Sequence, residues 1–140
     1  MRITGGDLRG RNLPKFHWKG TKPTTDKVRQ ALFNIFGPDF DPEGKRVLDC
    51  YAGTGIVSLE FISRGFKASV SLDVNKRCCD YMSSLKELLK LQDWQIVNRK
   101  VSSYLAAENG EFDVIFADPP YDEKEIEAIE QYIKLQLLKH

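Results

Sequence analysis

The sequence has little histidine or cysteine and no long apolar run, and each shortage closes off a class of chemistry. Two histidines and three cysteines, with Cys78 and Cys79 adjacent and Cys50 alone, offer neither a metal-ligand spacing nor an even disulfide framework. No metal is expected. No stretch approaches the roughly 20 apolar residues needed to cross a bilayer. Met1-Arg2-Ile3-Thr4-Gly5-Gly6 also lacks the apolar core of a signal peptide, which points to a cytoplasmic chain without membrane contact. Net charge is nearly absent too, at +1. That balance hides a segregation: Arg2, Arg9, Arg11, Lys15, Lys19, Lys22, Lys27 and Arg29 face only Asp7 and Asp26 near the N terminus. A basic patch on a near-neutral chain is an electrostatic footprint for polyanions; the plainer reading is a solvated arm that keeps the protein soluble.

What is present is globular in balance. An apolar share of 41% and a charged share of 29% over 140 residues suit one compact domain, residues 1–140, and exclude disordered or fibrous classes. Residues 1–23, rich in Gly, Arg and Lys, read as short strands or a surface loop ahead of an α/β core over 24–140. Thr24 or Thr25 is placed to cap a helix whose apolar face is Val28, Ala31, Leu32, Ile35 and Phe36, ended by Gly37-Pro38. Strands are expected over 46–51, 67–74, about 95–98 and 112–117. A helix running to Arg64 with Gly65 as its cap follows the first, and one capped by Asn75, with Cys78, Met82, Leu85, Leu88 and Leu89 apolar, follows the second. A final amphipathic helix spans 123–138. Strands alternating with helices imply right-handed βαβ units and a doubly wound, mostly parallel sheet.

Two constellations carry chemistry. In Val47-Leu48-Asp49-Cys50-Tyr51-Ala52-Gly53-Thr54-Gly55 the glycines let backbone approach a ligand after the first strand, and Asp73, closing the second, can accept both ribose hydroxyls. The dinucleotide fingerprint fails because Ser58 stands where its third glycine belongs. Asp49 would repel a pyrophosphate but suits a ligand with an ammonium group, such as the methionine part of S-adenosylmethionine. Asp118-Pro119-Pro120-Tyr121 then lies at the end of the fourth strand, in the crevice beside the first. The Asp118 carboxylate and the Pro119 carbonyl are two acceptors for the hydrogens of an exocyclic base amine. The prolines stiffen the loop, and Tyr121 offers a face to an unstacked base. Read alone, the tetrapeptide is equally a Pro-Pro turn with a buried tyrosine.

Met1–Gly6, Leu8-Arg9-Gly10-Arg11, the run Lys22-Pro23-Thr24-Thr25-Asp26-Lys27-Val28-Arg29-Gln30-Ala31-Leu32-Phe33-Asn34, the Asp49–Gly55 turn, Arg64-Gly65 and Asp118–Tyr121 together resemble the bacterial 16S rRNA guanine-N2 methyltransferases over nearly the whole chain. The resemblance implies a Rossmann-like methyltransferase fold with S-adenosyl-L-methionine as cofactor and ribosomal RNA or the small ribosomal subunit as partner. It assigns Asp49, Gly53, Gly55 and Asp73, with Ala52, Thr54 and Val74 beside them, to the cofactor; Asp118, Pro119, Pro120 and Tyr121 to the guanine; and Arg9, Arg11 and Lys22 to RNA. The rival readings are an adenine-N6 DNA methyltransferase, which shares the tetrapeptide, and a non-catalytic RNA-binding relative with a decayed cofactor site. Two departures stand out. Lys100 occupies the position where the family places an Asp on the adenine amine, which leaves that contact weak or to the backbone. The chain also stops at His140, where relatives continue with further strands, so it is expected to be truncated. Strand 112–117 would then be a bare edge that the 123–138 helix, a partner or a second copy must cover.

Overall fold

The computed structural model describes residues 1–16, 24–107, 111–118 and 123–138. Four strands, β1 (Arg46–Asp49), β2 (Ala68–Leu72), β3 (Trp94–Val97) and β4 (Val114–Phe116), form one all-parallel sheet in the order β3-β2-β1-β4. Five helices connect or precede them: α1 (Asp26–Asn34), α2 (Ile56–Ser63), α3 (Lys76–Leu88), α4 (Val101–Ala107) and α5 (Glu123–Leu138). This is the α/β, doubly wound, Rossmann-like arrangement expected. The strands are shorter than the apolar runs suggest, although Cys50 N–H still donates to the Phe116 carbonyl (2.9 Å) and Asp73 N–H to the Val97 carbonyl (3.2 Å) just beyond their ends.

Alternation along β1 divides the core. Val47 joins Ile3, Phe33, Ile56, Leu59, Phe61, Met82 and Trp94 on one face, while Leu48 and Cys50 join Val70, Leu72, Tyr104, Leu105, Ile129 and Tyr132 on the other. Because α2 is enclosed by the sheet on one side and the N-terminal residues on the other, Ile56–Phe61 and Ser63 are all buried. Arg64 closes it, and Gly65 follows at φ +100°. Asn75 caps α3 through the Arg77 N–H, as expected, but the buried face of that helix is Cys78, Cys79, Met82 and Leu85, with Leu88 exposed. The short helix α4 is not visible in the sequence pattern: seven residues are too few to show a period.

The N-terminal residues are packed rather than free. Ile3 and Leu13 are buried, Arg2 bridges Asn12 in antiparallel fashion, and the intervening turn rests on the end of α2. Asp7 N–H donates to the Ser63 carbonyl (2.8 Å), and Leu8 N–H to the Ser63 hydroxyl (2.8 Å). Gly6 sits at φ +76°, and a Cβ there would come within 1.9 Å of the Ser63 carbonyl oxygen, so only glycine permits this seat.

Helix α1 corrects two expectations. Thr25 is its cap, accepting from Val28 N–H, but Val28, Ala31 and Ile35 are exposed, and the buried residues are Arg29 and Phe33 with Leu32 and Phe36 partly covered. The helix is rotated because Arg29, only 1% exposed, is drawn inward by Glu60, which is fully buried on α2. Arg29 therefore does not belong to the basic patch, and Arg2 is paired with Asp26 at 3.0 Å. No helix among the described residues is long and apolar enough to cross a membrane.

Candidate cofactor and base site

β1 delivers Asp49 to the carboxyl end of the sheet, where the chain turns through Cys50–Gly55 into α2. The Asp49 side chain is 1% exposed. Its Oδ2 accepts from the Ser58 hydroxyl at 2.6 Å, and Ser58 is joined to Ser71 at 2.5 Å, which in turn accepts from the Trp94 indole N–H at 2.8 Å. An indole can only donate, so the chain of bonds runs in one direction, from β3 through β2 and α2 to the carboxylate. Asp49 Oδ1 has no hydrogen bond of good geometry among the described residues, while the backbone N–H groups of Tyr51 and Ser58 lie near the carboxylate and favour its ionised form. Burial pushes this carboxyl up to about 7; the Ser58 bond opposes that shift, and repulsion from Asp73 adds to it.

Asp49 lines a cavity of about 70 Å³ with Ala52, Gly53, Thr54, Phe116, Asp118 and Thr24. Register explains the meeting of Asp49 with Asp118. Asp49 pairs with Phe116 in the parallel ladder, Cys50 N–H donates to the Phe116 carbonyl at 2.9 Å, and Asp118 lies two residues further on. Asp118 is exposed at the rim.

On the other side of the turn a second cavity, about 210 Å³, is lined by Cys50, Tyr51, Asp73, Val74, Arg99, Lys100, Val101 and Glu125. Asp73 Oδ2 accepts from Gly53 N–H and Oδ1 from Asn75 N–H, both at 2.8 Å, so this carboxylate braces the glycine turn as well as facing the cavity. Each carboxylate oxygen retains a lone pair for a further donor. Glu125, which sequence reasoning did not single out, accepts from the Ser102 N–H (3.1 Å) and hydroxyl (2.9 Å) and brings α5 to this cavity. Lys100 is exposed on the cavity wall. Burial pushes the Cys50 thiol up to about 12, which makes it an inert core residue.

The structure thus brings Asp49, Ala52, Gly53, Thr54 and Asp118 to one cavity and Asp73 and Val74 to its neighbour. Gly55 lines neither. It caps α2 at φ +80°, and a Cβ there would lie 2.7 Å from Met82 Cγ and 2.9 Å from Trp94 Cζ2. Its glycine requirement is met inside the core rather than at a ligand. Arg9 and Arg11 are exposed on the N-terminal turn, away from both cavities, and make no ion pair with a described residue. Lys22, Pro119, Pro120 and Tyr121 lie outside the described residues, as does Lys19. Among the described residues no cluster of His, Cys, Asp or Glu could hold a metal ion.

The family model described as "Conserved hypothetical protein 95" matches residues 1–140. A Bacillus subtilis relative named "Putative rRNA methyltransferase YlbH" is 37% identical over 134 residues, covering 92% of this chain and 71% of the relative. The chain belongs to this family of rRNA methyltransferases. Ribosomal RNA small subunit methyltransferase D of Escherichia coli strain K12 is 34% identical over 121 residues, 86% of this chain and 60% of that protein. Among solved structures, that titled "Putative methyltransferase yhhF from Escherichia coli" superposes with a TM-score of 0.82 at 30% identity, covering 95% of this chain and 71% of that one. The chain therefore spans between three-fifths and three-quarters of the length of these family members.

Proposed function

We propose that the chain transfers a methyl group from S-adenosyl-L-methionine to the exocyclic N2 amine of a guanine in 16S ribosomal RNA, in the cytoplasm, on free RNA or on the small ribosomal subunit. The observation that carries this reading is the buried Oδ1 of Asp49, without a well-formed hydrogen bond, in the cavity that Asp118 rims. A buried carboxylate oxygen without such a bond is costly, and a ligand ammonium is the partner that removes the cost. The residues present fit the cofactor. Asp49 would take the amino group of its methionine part, Gly53 and Thr54 would pass beneath it, and Asp73 would accept from the ribose. Val74 and Val101 would flank the adenine in the larger cavity.

The bound cofactor would supply an electrophilic sulfonium methyl group. The protein's own residues do the rest. Asp118, and the carbonyl of Pro119 beside it, would accept the amine hydrogens and favour a pyramidal nitrogen whose lone pair is free to attack. The Asp118 carboxylate would offset the positive charge that develops there. Tyr121 would stack on the base, and Arg9, Arg11 and Lys22 would hold phosphates.

The test has two steps. Calorimetric titration with S-adenosylhomocysteine should show one site. Incubation with the labelled methyl donor and RNA from cells lacking the modification, followed by nucleoside digestion, should yield N2-methylguanosine. N6-methyladenosine as the product would reassign the target to adenine, and binding of RNA without any binding of S-adenosylhomocysteine would leave only an RNA-binding module.

A further inference from the structure

The most heavily bonded side chain among the described residues takes no part in the mechanism above. Arg29 on α1 is 1% exposed; its Nε donates to Glu60 Oε1 at 3.2 Å, and one terminal nitrogen donates to Asp26 (2.6 Å) and to the Arg2 carbonyl (2.8 Å). The other terminal nitrogen donates to the Thr24 carbonyl and, at 3.3 Å, to the Thr24 hydroxyl. Glu60 is fixed in turn by the Thr4 N–H (2.6 Å), the Thr4 hydroxyl (2.8 Å) and Arg64 (3.2 Å). Thr24 lines the same cavity as Asp49 and Asp118.

We infer that Arg29, anchored by Glu60, is a positioning residue that holds Thr24 against the methyl-transfer cavity and fastens that wall to the N-terminal turn. The chemistry follows from the donor count. A guanidinium has no acceptor, so the Thr24 oxygen must accept from it, which leaves the hydroxyl proton to be donated elsewhere. Thr24 lines the cavity, where an acceptor on a ligand would take that proton. On the cofactor reading given above, on which this inference rests, that acceptor is the carboxylate of the methionine part, beside the ammonium held by Asp49. A buried ion pair adds little net stability against an apolar replacement, and what it supplies here is a fixed orientation.

The experiment is a double-mutant cycle in the 140-residue chain, with R29K, T24A and the pair titrated calorimetrically with S-adenosylhomocysteine and melted in parallel. Lysine keeps the charge beside Glu60 but lacks the fork that reaches Thr24 and Arg2 together. Each single variant should bind about 3- to 10-fold more weakly, the worth of one hydrogen bond, and the double variant should bind no more weakly than the poorer single. A purely structural Arg29 would lower the melting temperature and leave the affinity of the folded protein unchanged. An unchanged affinity in T24A, or losses that multiply in the double variant, overturns the inference. Should R29K not fold, T24A alone decides. Absence of binding by the wild-type chain overturns the cofactor reading and this inference with it, whereas binding that T24A leaves intact overturns the inference alone.

Discussion

Ser58 donates to one oxygen of Asp49 at 2.6 Å and leaves the other without a well-formed hydrogen bond among the described residues, so this hydroxyl is the largest bonded influence on the buried carboxylate. Replacing Ser58 with alanine removes the bond that most opposes the burial-driven rise of the Asp49 pKa. S58A should therefore raise that pKa further and weaken S-adenosylhomocysteine binding by about tenfold, the effect of a hydrogen bond to a charged group. Calorimetry at pH 7 checks it, and an unchanged affinity would remove Asp49 from the site.

The same group sets a pH dependence. Asp49 titrates near 7 when folded and near 4 in an unfolded chain, so between those values the folded state holds the extra proton. Its contribution to the stability of the unliganded protein is thus lost as pH rises from about 4 to 7. A ligand ammonium selects the ionised form, so ligand affinity should rise from pH 6 toward 7.5, with a proton released on binding at the lower end. Titrations in two buffers of different ionisation enthalpy measure that release directly.

Asp118 is exposed at the rim of the cavity and makes no hydrogen bond that D118A would break within the described residues. The substitution should leave cofactor binding nearly intact and lower methyl transfer by roughly 100-fold or more. Single-turnover transfer to RNA, measured beside cofactor affinity, separates the two effects.

Gly55 illustrates how much of this was legible in the sequence. The Asp49–Gly55 segment was readable as a glycine turn between a strand and a helix, and so was the pairing of β4 with β1. What the pattern could not show is that Gly55 faces Met82 and Trp94, residues from α3 and β3, because that contact exists only after the chain has closed on itself. G55A should cost about 2 kcal/mol or more through strain at positive φ and overpacking, seen as a lower melting temperature.

The face of α1 was misread for a related reason. Periodicity scores Arg29 as a surface residue, and its partner Glu60 is 31 positions away. A signal was present nonetheless: Glu60 is the one charged residue in Ile56–Ser63, a helix otherwise apolar or hydroxylated, and a lone carboxylate in such a segment requires a buried cation.

Arg9 and Arg11 are exposed on a turn that is seated on Ser63 through Gly6, Asp7 and Leu8. Replacing both with alanine should weaken RNA binding across sequences and lower the log–log salt slope by about 0.7–0.9 for each lost phosphate contact. Binding measured at several salt concentrations gives the slope, and an unchanged slope returns these residues to a solvated arm.

Among the described residues strand β4 pairs with β1 alone, while α5 packs its Ile129 and Tyr132 against the core on the face of the sheet. The 140-residue chain should consequently associate at high concentration through this edge, as light scattering would detect. A monomer at all concentrations would show the edge to be protected in another way.

The bond from Cys50 N–H to the Phe116 carbonyl is the last rung between the segment that bears Asp49 and the one that leads to Asp118. Both of its atoms are main chain. On the function proposed above, side chains around this seam can therefore be exchanged, and with them the nucleotide that is accepted, while the alignment of the methyl donor's side with the acceptor's side is passed on unchanged. The chemistry of the site can drift; the spacing across which it operates is a property of the polypeptide itself.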